Sequence, residues 1–216
     1  MPLNLVQKQW LADVRRAAQA REAEQTQYAL KQLLGQLEYY AALALTLEVV
    51  YGFLELFESY EPSEVWVRRL LVQMASYGMA PDDQQAEAAV LQRHEGPGIA
   101  NYIKAVYDVT QAMQNSHTPE ARLSFLASAI INTLMAEIAE AWYGERLEAW
   151  ERVRANTYDP VTQQDNDPQA AQIVMAFWMD GDTIILERAG WQDMAVRIEK
   201  ALERQTNRSE QKGERR

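Results

Sequence analysis

Two of the glutamate pairs that stand three residues apart lie in the most apolar helical segments of the chain. Glu137 and Glu140 form one Glu-x-x-Glu pair, and Glu55 and Glu58 form the other. Residues three apart lie on the same face of a helix, so each pair can present two carboxylates side by side. Carboxylate oxygens are ligands that Mg²⁺ accepts. Glu137 also follows an apolar stripe, where a carboxylate must be paired, protonated or bound to a metal. One reading of the chain is therefore a Mg²⁺ site.

Helices that hold Mg²⁺ through paired Glu-x-x-Glu motifs resemble those of the all-α nucleotide pyrophosphohydrolases of the MazG type. Here the resemblance rests on Glu137, Glu140, Glu55 and Glu58 alone. It implies Mg²⁺-dependent hydrolysis of a nucleotide. The family's second motif, Glu-x-x-Asp on a neighbouring helix, is missing from this sequence. Solvated or salt-bridged glutamates would have the same spacing, and that alternative stays open.

Other groups that commonly carry chemistry are missing from the sequence. Cysteine is absent, which excludes disulfides, thiolate ligands and a cysteine nucleophile. The only histidines are His94 and His117, and neither has a glutamate three residues before it, as di-iron bundles require. No Walker loop or nucleophile elbow is present. We therefore expect no cofactor, apart from Mg²⁺ under the hydrolase reading, and the sequence favours a protein that is not an enzyme.

The charge distribution bears on partners and location. The net charge is −10, and an acidic surface argues against binding to phosphate backbones. Basic residues gather at the C-terminal end, where we predict a disordered basic tail over 204–216. A small helical subunit of a nucleic-acid complex, acting through this tail, is a further alternative. The N-terminus has no apolar signal region, so we expect a cytoplasmic protein.

The strongest hydrophobic pattern covers residues 30–54, where apolar residues recur at alternating steps of three and four. The eight positions are Leu30, Leu33, Leu37, Tyr40, Ala44, Leu47, Tyr51 and Leu54. This pattern is a heptad seam on a helix that is apolar on most of its circumference. Glu48 and Glu55 oppose insertion into a bilayer, so we predict a core helix and no membrane span.

An unbroken helix over 24–60 would be about 55 Å long. A compact domain of this chain length has a diameter of about 44 Å. Gly35 or Gly52 could kink the helix, the molecule could be elongated, or a second subunit could cover the excess length. We favour the second subunit. The predicted interface residues are Leu33, Leu37, Tyr40, Leu47, Tyr51 and Leu54.

Further helices are indicated along the chain. Thr118 and Pro119 have the residue types of an N-cap and a first helical position, and a bend is plausible at Gly144. Over 173–187 the residues allow either a β-hairpin about Asp180–Asp182 or a helix, with Asp182 capping a further one. Helix formers favour the second option. We predict an all-α, multi-helix bundle of seven or eight helices around a long apolar central helix.

The predicted organisation is a single helical domain over 1–203, followed by the tail. An apolar seam helix combined with few catalytic groups is typical of a protein that binds other proteins. We therefore expect a non-enzymatic interaction subunit, an assembly, adaptor or regulatory component of a larger complex, with a protein partner, a second copy of itself, or both.

Overall fold

The computed structural model describes residues 4–19, 23–77, 84–92, 94–114, 118–156, 158–159 and 164–187, together with residues 196, 199, 200 and 203. Within these ranges lie ten helices and one short antiparallel strand pair. The helices are α1 (Leu5–Gln19), α2 (Ala23–Leu34), α3 (Tyr39–Gly52), α4 (Leu54–Tyr60), α5 (Trp66–Tyr77), α6 (Gln84–Val90), α7 (Ile99–Gln114), α8 (Pro119–Gly144), α9 (Leu147–Ala155) and α10 (Pro168–Glu187). Strands β1 (Tyr158–Asp159) and β2 (Gln164–Asp165) pair with Tyr158 opposite Asp165. The predicted all-α bundle is confirmed, and the predicted tail over 204–216 lies outside the described residues.

The predicted central helix is interrupted at Gly35. The amides of Gln36 and Leu37 bond to carbonyls three residues back, at 3.0 Å each, which closes the last turn of α2. Glycine is a weak helix former, so the chain leaves the helix here and α3 begins at Tyr39. The kink offered as one explanation of the excess length is confirmed at Gly35. The length of this segment therefore gives no reason to invoke a second subunit.

A smaller irregularity separates α3 from α4 at Phe53. The amide of Phe53 bonds to the carbonyl of Val50 at 3.3 Å, and the regular spacing resumes with Phe57 bonding to Phe53 at 2.9 Å. The two helices thus form one run, Tyr39–Tyr60. The single helix predicted over 24–60 is therefore three helices, α2, α3 and α4. This is why the described residues contain more than the seven or eight helices predicted.

Helix α8 is the centre of the bundle and packs along α7, with α2, α3, α9 and α10 also in contact with it. Two apolar clusters fill the interior of the described part. The larger joins α1 to α8, with Tyr102 between Phe53 and Phe57 at ring-centroid distances of 5.0 and 5.3 Å. The smaller lies at the far end of α8, against α9 and α10. These clusters place α10 at one end of the molecule.

The turn before α7 packs closely against α8 at a glycine. Gly98 has a φ of +78°, a conformation that favours glycine, and it lies directly against the backbone of Ala136. The carbonyl of Glu95 in the same turn accepts a hydrogen bond from the Trp150 indole at 2.6 Å. This turn therefore ties α7, α8 and α9 together.

Helix ends agree with the sequence in most places. Thr118 caps α8 by accepting a hydrogen bond from the amide of Ala121 at 3.4 Å, and Pro119 opens the helix. Helix α8 ends at Gly144, where a bend was expected, and α9 begins at Leu147. Residues 173–187 are helical, as favoured, but the prediction of a new helix capped by Asp182 is wrong. Helix α10 runs through Asp182, because its continuous backbone hydrogen bonding leaves no helix start there.

Two helical runs have the length and composition of a bilayer span. They are Tyr39–Tyr60 and Pro119–Gly144, with mean hydropathies of 1.5 and 1.3. Within the fold, 56% and 50% of these segments are buried. Core helices of folded proteins meet the same criteria, so these two runs are weak indicators of a membrane protein.

Candidate functional site

Most of the predicted interface residues are buried in the chain's own core. Leu33, Leu37, Leu47 and Leu54 are each 8% exposed or less, and they lie in the chain's own core. Tyr51 is half-buried, whereas Tyr40 is 71% exposed. The turn at Gly35 changes the helix phase between the two halves of the seam, so these residues do not share one outward face. Their burial needs no partner, and their assignment to an interface stays a prediction.

Of the two glutamates on α4, Glu58 forms an ion pair with an arginine. Both of its carboxylate oxygens accept hydrogen bonds from the guanidinium of Arg68 on α5, at 2.6 Å each. These hydrogen bonds lower the pKa of Glu58 below its usual value. Glu55 is exposed. This arrangement ties α4 to α5 and leaves the Glu58 carboxylate engaged rather than open to a cation.

The glutamates of α8, Glu137 and Glu140, are both half-buried. Negative charge at Glu140 contributes to the raised pKa of Tyr60, after the larger effect of burial. Throughout the part of the chain that the structure describes, no group of three or more His, Cys, Asp or Glu side chains is placed to hold a metal ion. The Mg²⁺ site built on Glu137, Glu140, Glu55 and Glu58 therefore stays a prediction without support from the geometry.

A buried carboxylate that sequence reasoning missed lies between α7 and α8. Asp108 is fully buried and forms an ion pair with Lys104, one helical turn before it. From α8, the hydroxyl of Ser128 donates to the carboxylate at 2.6 Å and the amide of Asn132 donates at 3.1 Å. The amide of Asn132 also donates to Ser128 at 3.2 Å. Three donors satisfy this charge, as buried charges require.

The sequence contains the spacing that this network needs, but that spacing does not by itself predict a buried network. Lys104 and Asp108 are four residues apart, as are Ser128 and Asn132, and each pair shares a helix face. Such spacing is common on solvated helices. Only the packing of α7 on α8 brings the two pairs together and removes the Asp108 carboxylate from water.

An aromatic cluster fills the smaller core. The ring of Tyr143 lies 5.1 Å from Phe177, 4.7 Å from Trp142 and 5.3 Å from Trp150, measured between centroids. Burial raises the pKa of Tyr143 to about 12. The guanidinium carbon of Arg146 lies over the Trp142 ring, 4.6 Å from its centroid. This cluster joins α8, α9 and α10 and holds Phe177 in place.

The outer face of α10 carries large apolar side chains in water. Met175, Trp178 and Met179 are 63%, 55% and 71% exposed. Positions three and four apart on a helix are neighbours, so these residues form one surface, which we name the α10 face. Phe177, 7% exposed, anchors the inner side of the same turn in the aromatic cluster. The α10 face is thus a set of exposed apolar groups on a helix whose other side packs against α8 and α9.

A groove lies between α1 and α2. Its volume is about 680 Å³. The lining residues are Trp10, Asp13, Arg16, Ala17, Glu24, Gln25, Tyr28 and Ala29. The rings of Trp10 and Tyr28 meet edge to face at 5.9 Å. Aromatic faces beside carboxylates suit a cationic group.

Comparisons with protein-family models, with curated proteins and with solved structures find no match to this chain.

Proposed function

We propose that this chain is a non-enzymatic helical subunit that binds another protein through the α10 face. The observation that carries the proposal is the exposure of Met175, Trp178 and Met179 together on one turn of α10. Isolated exposed apolar residues are normal on protein surfaces, whereas contiguous ones mark interaction sites.

The spacing of these residues suggests how the partner is recognised. Anchors at i, i+3 and i+4 are typical of a helix that inserts its apolar side into a hydrophobic groove of another protein. Tryptophan is enriched among residues that dominate binding energy, and methionine adapts its shape to irregular pockets. We therefore infer a partner with an apolar groove that accepts Trp178 at its centre.

The support beneath α10 lowers the cost of binding. Phe177 and Ala170 are buried on the inner side of the helix. Asp167, just before α10, forms an ion pair with Arg152 of α9 at 2.9 Å. A surface held in its bound shape loses less conformational entropy on association. In the described residues the candidate acids Glu58 and Asp108 are engaged by neighbouring donors, which favours a binding role over a catalytic one.

Site-specific photo-crosslinking in the cells that make the protein tests this proposal. A photoreactive amino acid replaces Gln172, which is exposed on α10 one turn before Met175. The matched control carries the same group at Glu87, exposed on α6. We expect a discrete protein adduct from position 172 that is absent from position 87. Absence of an adduct at 172, or the same adduct from both positions, contradicts the proposal.

The crosslinked partner is then purified and its affinity measured by calorimetry. We expect the triple variant Met175→Ser, Trp178→Ser, Met179→Ser to bind at least about tenfold more weakly, since loss of central anchors costs more than about 1.4 kcal/mol. The control variant is Val65→Ser, Val72→Ser, Leu91→Ser, which removes exposed apolar side chains elsewhere. Equal affinities of the two variants would place the interface away from α10.

A further inference from the structure

The methionines that the structure describes differ sharply in their exposure to solvent. Met74 is buried in the larger core, and Met113 and Met135 are half-buried, each packed against one of the two apolar clusters. Met175 and Met179, in contrast, are 63% and 71% exposed. Among the described methionines these two alone are open to a reagent in solution, and both belong to the α10 face.

The two exposed methionines flank the tryptophan of the α10 face. Met175 lies three residues before Trp178, and Met179 directly follows it. Residues three and four apart are neighbours on a helix surface, so the two thioethers border the same exposed ring. A change in the polarity of either sulfur therefore acts at the centre of the α10 face and not at its margin.

An exposed thioether reacts with hydrogen peroxide in a single two-electron step. A sulfur lone pair attacks one peroxide oxygen, so that an S–O bond forms while the O–O bond breaks. The sulfur is oxidised, and the second oxygen leaves with both protons as water. The product, methionine sulfoxide, is polar, and methionine sulfoxide reductases convert it back to the thioether. The chain contains no cysteine, so none of its own thiols competes for the oxidant.

Oxidation at these positions opposes binding without disturbing the fold. Sulfoxide oxygens at residues 175 and 179 would leave water when the α10 face enters an apolar groove, and a polar group buried without a hydrogen-bond partner disfavours association. In the free chain both side chains are exposed, so their sulfoxides stay hydrated and the core keeps its packing. A sulfoxide at the buried Met74 would instead disrupt the core.

We propose that Met175 and Met179 form a reversible oxidation site that controls the α10 face. In the thioether state the face is apolar and binds its partner. Oxidation of the two sulfurs by a peroxide makes the face polar and releases the partner, and enzymatic reduction restores binding. This inference rests on the function proposed for the α10 face, whereas the selective oxidation of the two methionines can be measured without any partner.

Peptide mass mapping of the full-length protein in dilute hydrogen peroxide tests the oxidation site. We expect sulfoxide to form at Met175 and Met179 at least about tenfold faster than at Met74, which the oxidant reaches only when the core opens. Circular dichroism should stay unchanged while only these two residues are oxidised, and the same peptides verify that Trp178 is unmodified. Oxidation of Met74 at a rate comparable to theirs overturns the proposal.

Leucine variants test the control of binding, because leucine keeps a similar apolar volume and has no sulfur. Met175→Leu with Met179→Leu removes the proposed site, and Met113→Leu with Met135→Leu removes two half-buried sulfurs elsewhere. Each chain is oxidised as above and titrated by calorimetry with the partner purified after crosslinking from position 172. We expect oxidation to weaken binding by about tenfold or more in the unmodified sequence and in the control.

The Met175→Leu, Met179→Leu chain should bind equally well before and after peroxide, and methionine sulfoxide reductases should restore the affinity of the other two chains. Affinity that survives oxidation of residues 175 and 179 overturns the proposed control while leaving the α10 face as the interface. A chain that yields no adduct from position 172 before oxidation contradicts the proposed function itself, and the control of binding falls with it. The mass mapping then still decides whether the two methionines are selectively oxidised.

Discussion

The carboxylate of Asp108 on α7 accepts a hydrogen bond from the Ser128 hydroxyl on α8 at 2.6 Å. Asp108 is fully buried. Its carboxylate also accepts a hydrogen bond from the Asn132 amide and forms an ion pair with Lys104. Helices that pack through small apolar residues can rotate or slide against each other with little change in buried area. A charge that needs particular donors from the facing helix penalises such shifts, because a shifted helix leaves it unpaired. We infer that this contact selects the register of α7 on α8.

Replacement of Asp108 should therefore destabilise the protein strongly. We expect Asp108→Ala to lower the free energy of unfolding by about 2 kcal/mol, because Lys104, Ser128 and Asn132 lose a shared acceptor. Urea denaturation followed by circular dichroism measures the loss. Glu148→Ala, at an exposed position on α9, should change stability by less than about 0.5 kcal/mol. A similar small effect at Asp108 would contradict its structural role.

Removal of one hydroxyl should stabilise the protein. The Tyr102 hydroxyl is buried and finds no hydrogen-bond partner among the described residues, and burial raises its pKa. We expect Tyr102→Phe to gain about 1 kcal/mol, which raises the midpoint of thermal unfolding by about 2–4 °C. Tyr39→Phe is the opposite control, because the Tyr39 hydroxyl donates to the Ala112 carbonyl at 3.2 Å and its loss should lower the midpoint. Calorimetry of both variants should give shifts of opposite sign.

Two glycines should respond differently to alanine. At Gly98 a Cβ would lie 2.3 Å from the Ala136 carbonyl oxygen, and φ is +78°. We expect Gly98→Ala to cost about 3 kcal/mol or more from backbone strain and steric clash together. At Gly52 a Cβ would meet no atom within 4 Å, so Gly52→Ala should stabilise helix α3 by about 0.4–1 kcal/mol. Denaturant midpoints that move in the same direction for both would contradict the geometry of the turn before α7.

Alkaline pH should destabilise the folded chain through its tyrosines. Burial raises the pKa of Tyr143 from 10.0 to about 12. The stability that this tyrosine contributes is complete below about pH 10 and is lost as pH rises from 10 towards 12, because the unfolded state releases its proton first. We expect the midpoint of thermal unfolding to fall across this range. In Tyr143→Phe the fall should be shallower, and an unchanged slope would contradict the assignment to Tyr143.

Addition of Mg²⁺ should leave the thermal midpoint unchanged within about 1 °C. Both oxygens of the Glu58 carboxylate bond to Arg68, and no metal-binding cluster exists among the described residues. A bound metal at a hundred times its dissociation constant would stabilise the fold by about 2.7 kcal/mol. Differential scanning fluorimetry with millimolar Mg²⁺ makes the comparison. A rise of several degrees that is lost in Glu137→Ala would restore the nucleotide hydrolase reading.

The sequence by itself determined the helical content and several helix ends. Thr118 and Pro119 predicted the start of α8 because capping and a fixed proline φ are local properties. Helix formers predicted a helix over 173–187, and α10 confirms it. The apolar segment over 30–54 was rightly expected to be mostly buried. Each of these features depends on residues within a few positions of one another in the chain.

Only the tertiary structure decided which faces meet. The heptad pattern continued through Gly35, but the helix ends there, and within α3 Leu47 is buried whereas Tyr40, in the first turn, is exposed because no other described helix covers it. Asp108 and Ser128 are twenty residues apart and become a hydrogen-bonded pair through the packing of α7 on α8. The α10 face stays outside because Phe177 fits the aromatic cluster and turns Trp178 to the solvent. Spacing along a chain defines neighbours on one helix, whereas burial depends on which other helix covers them.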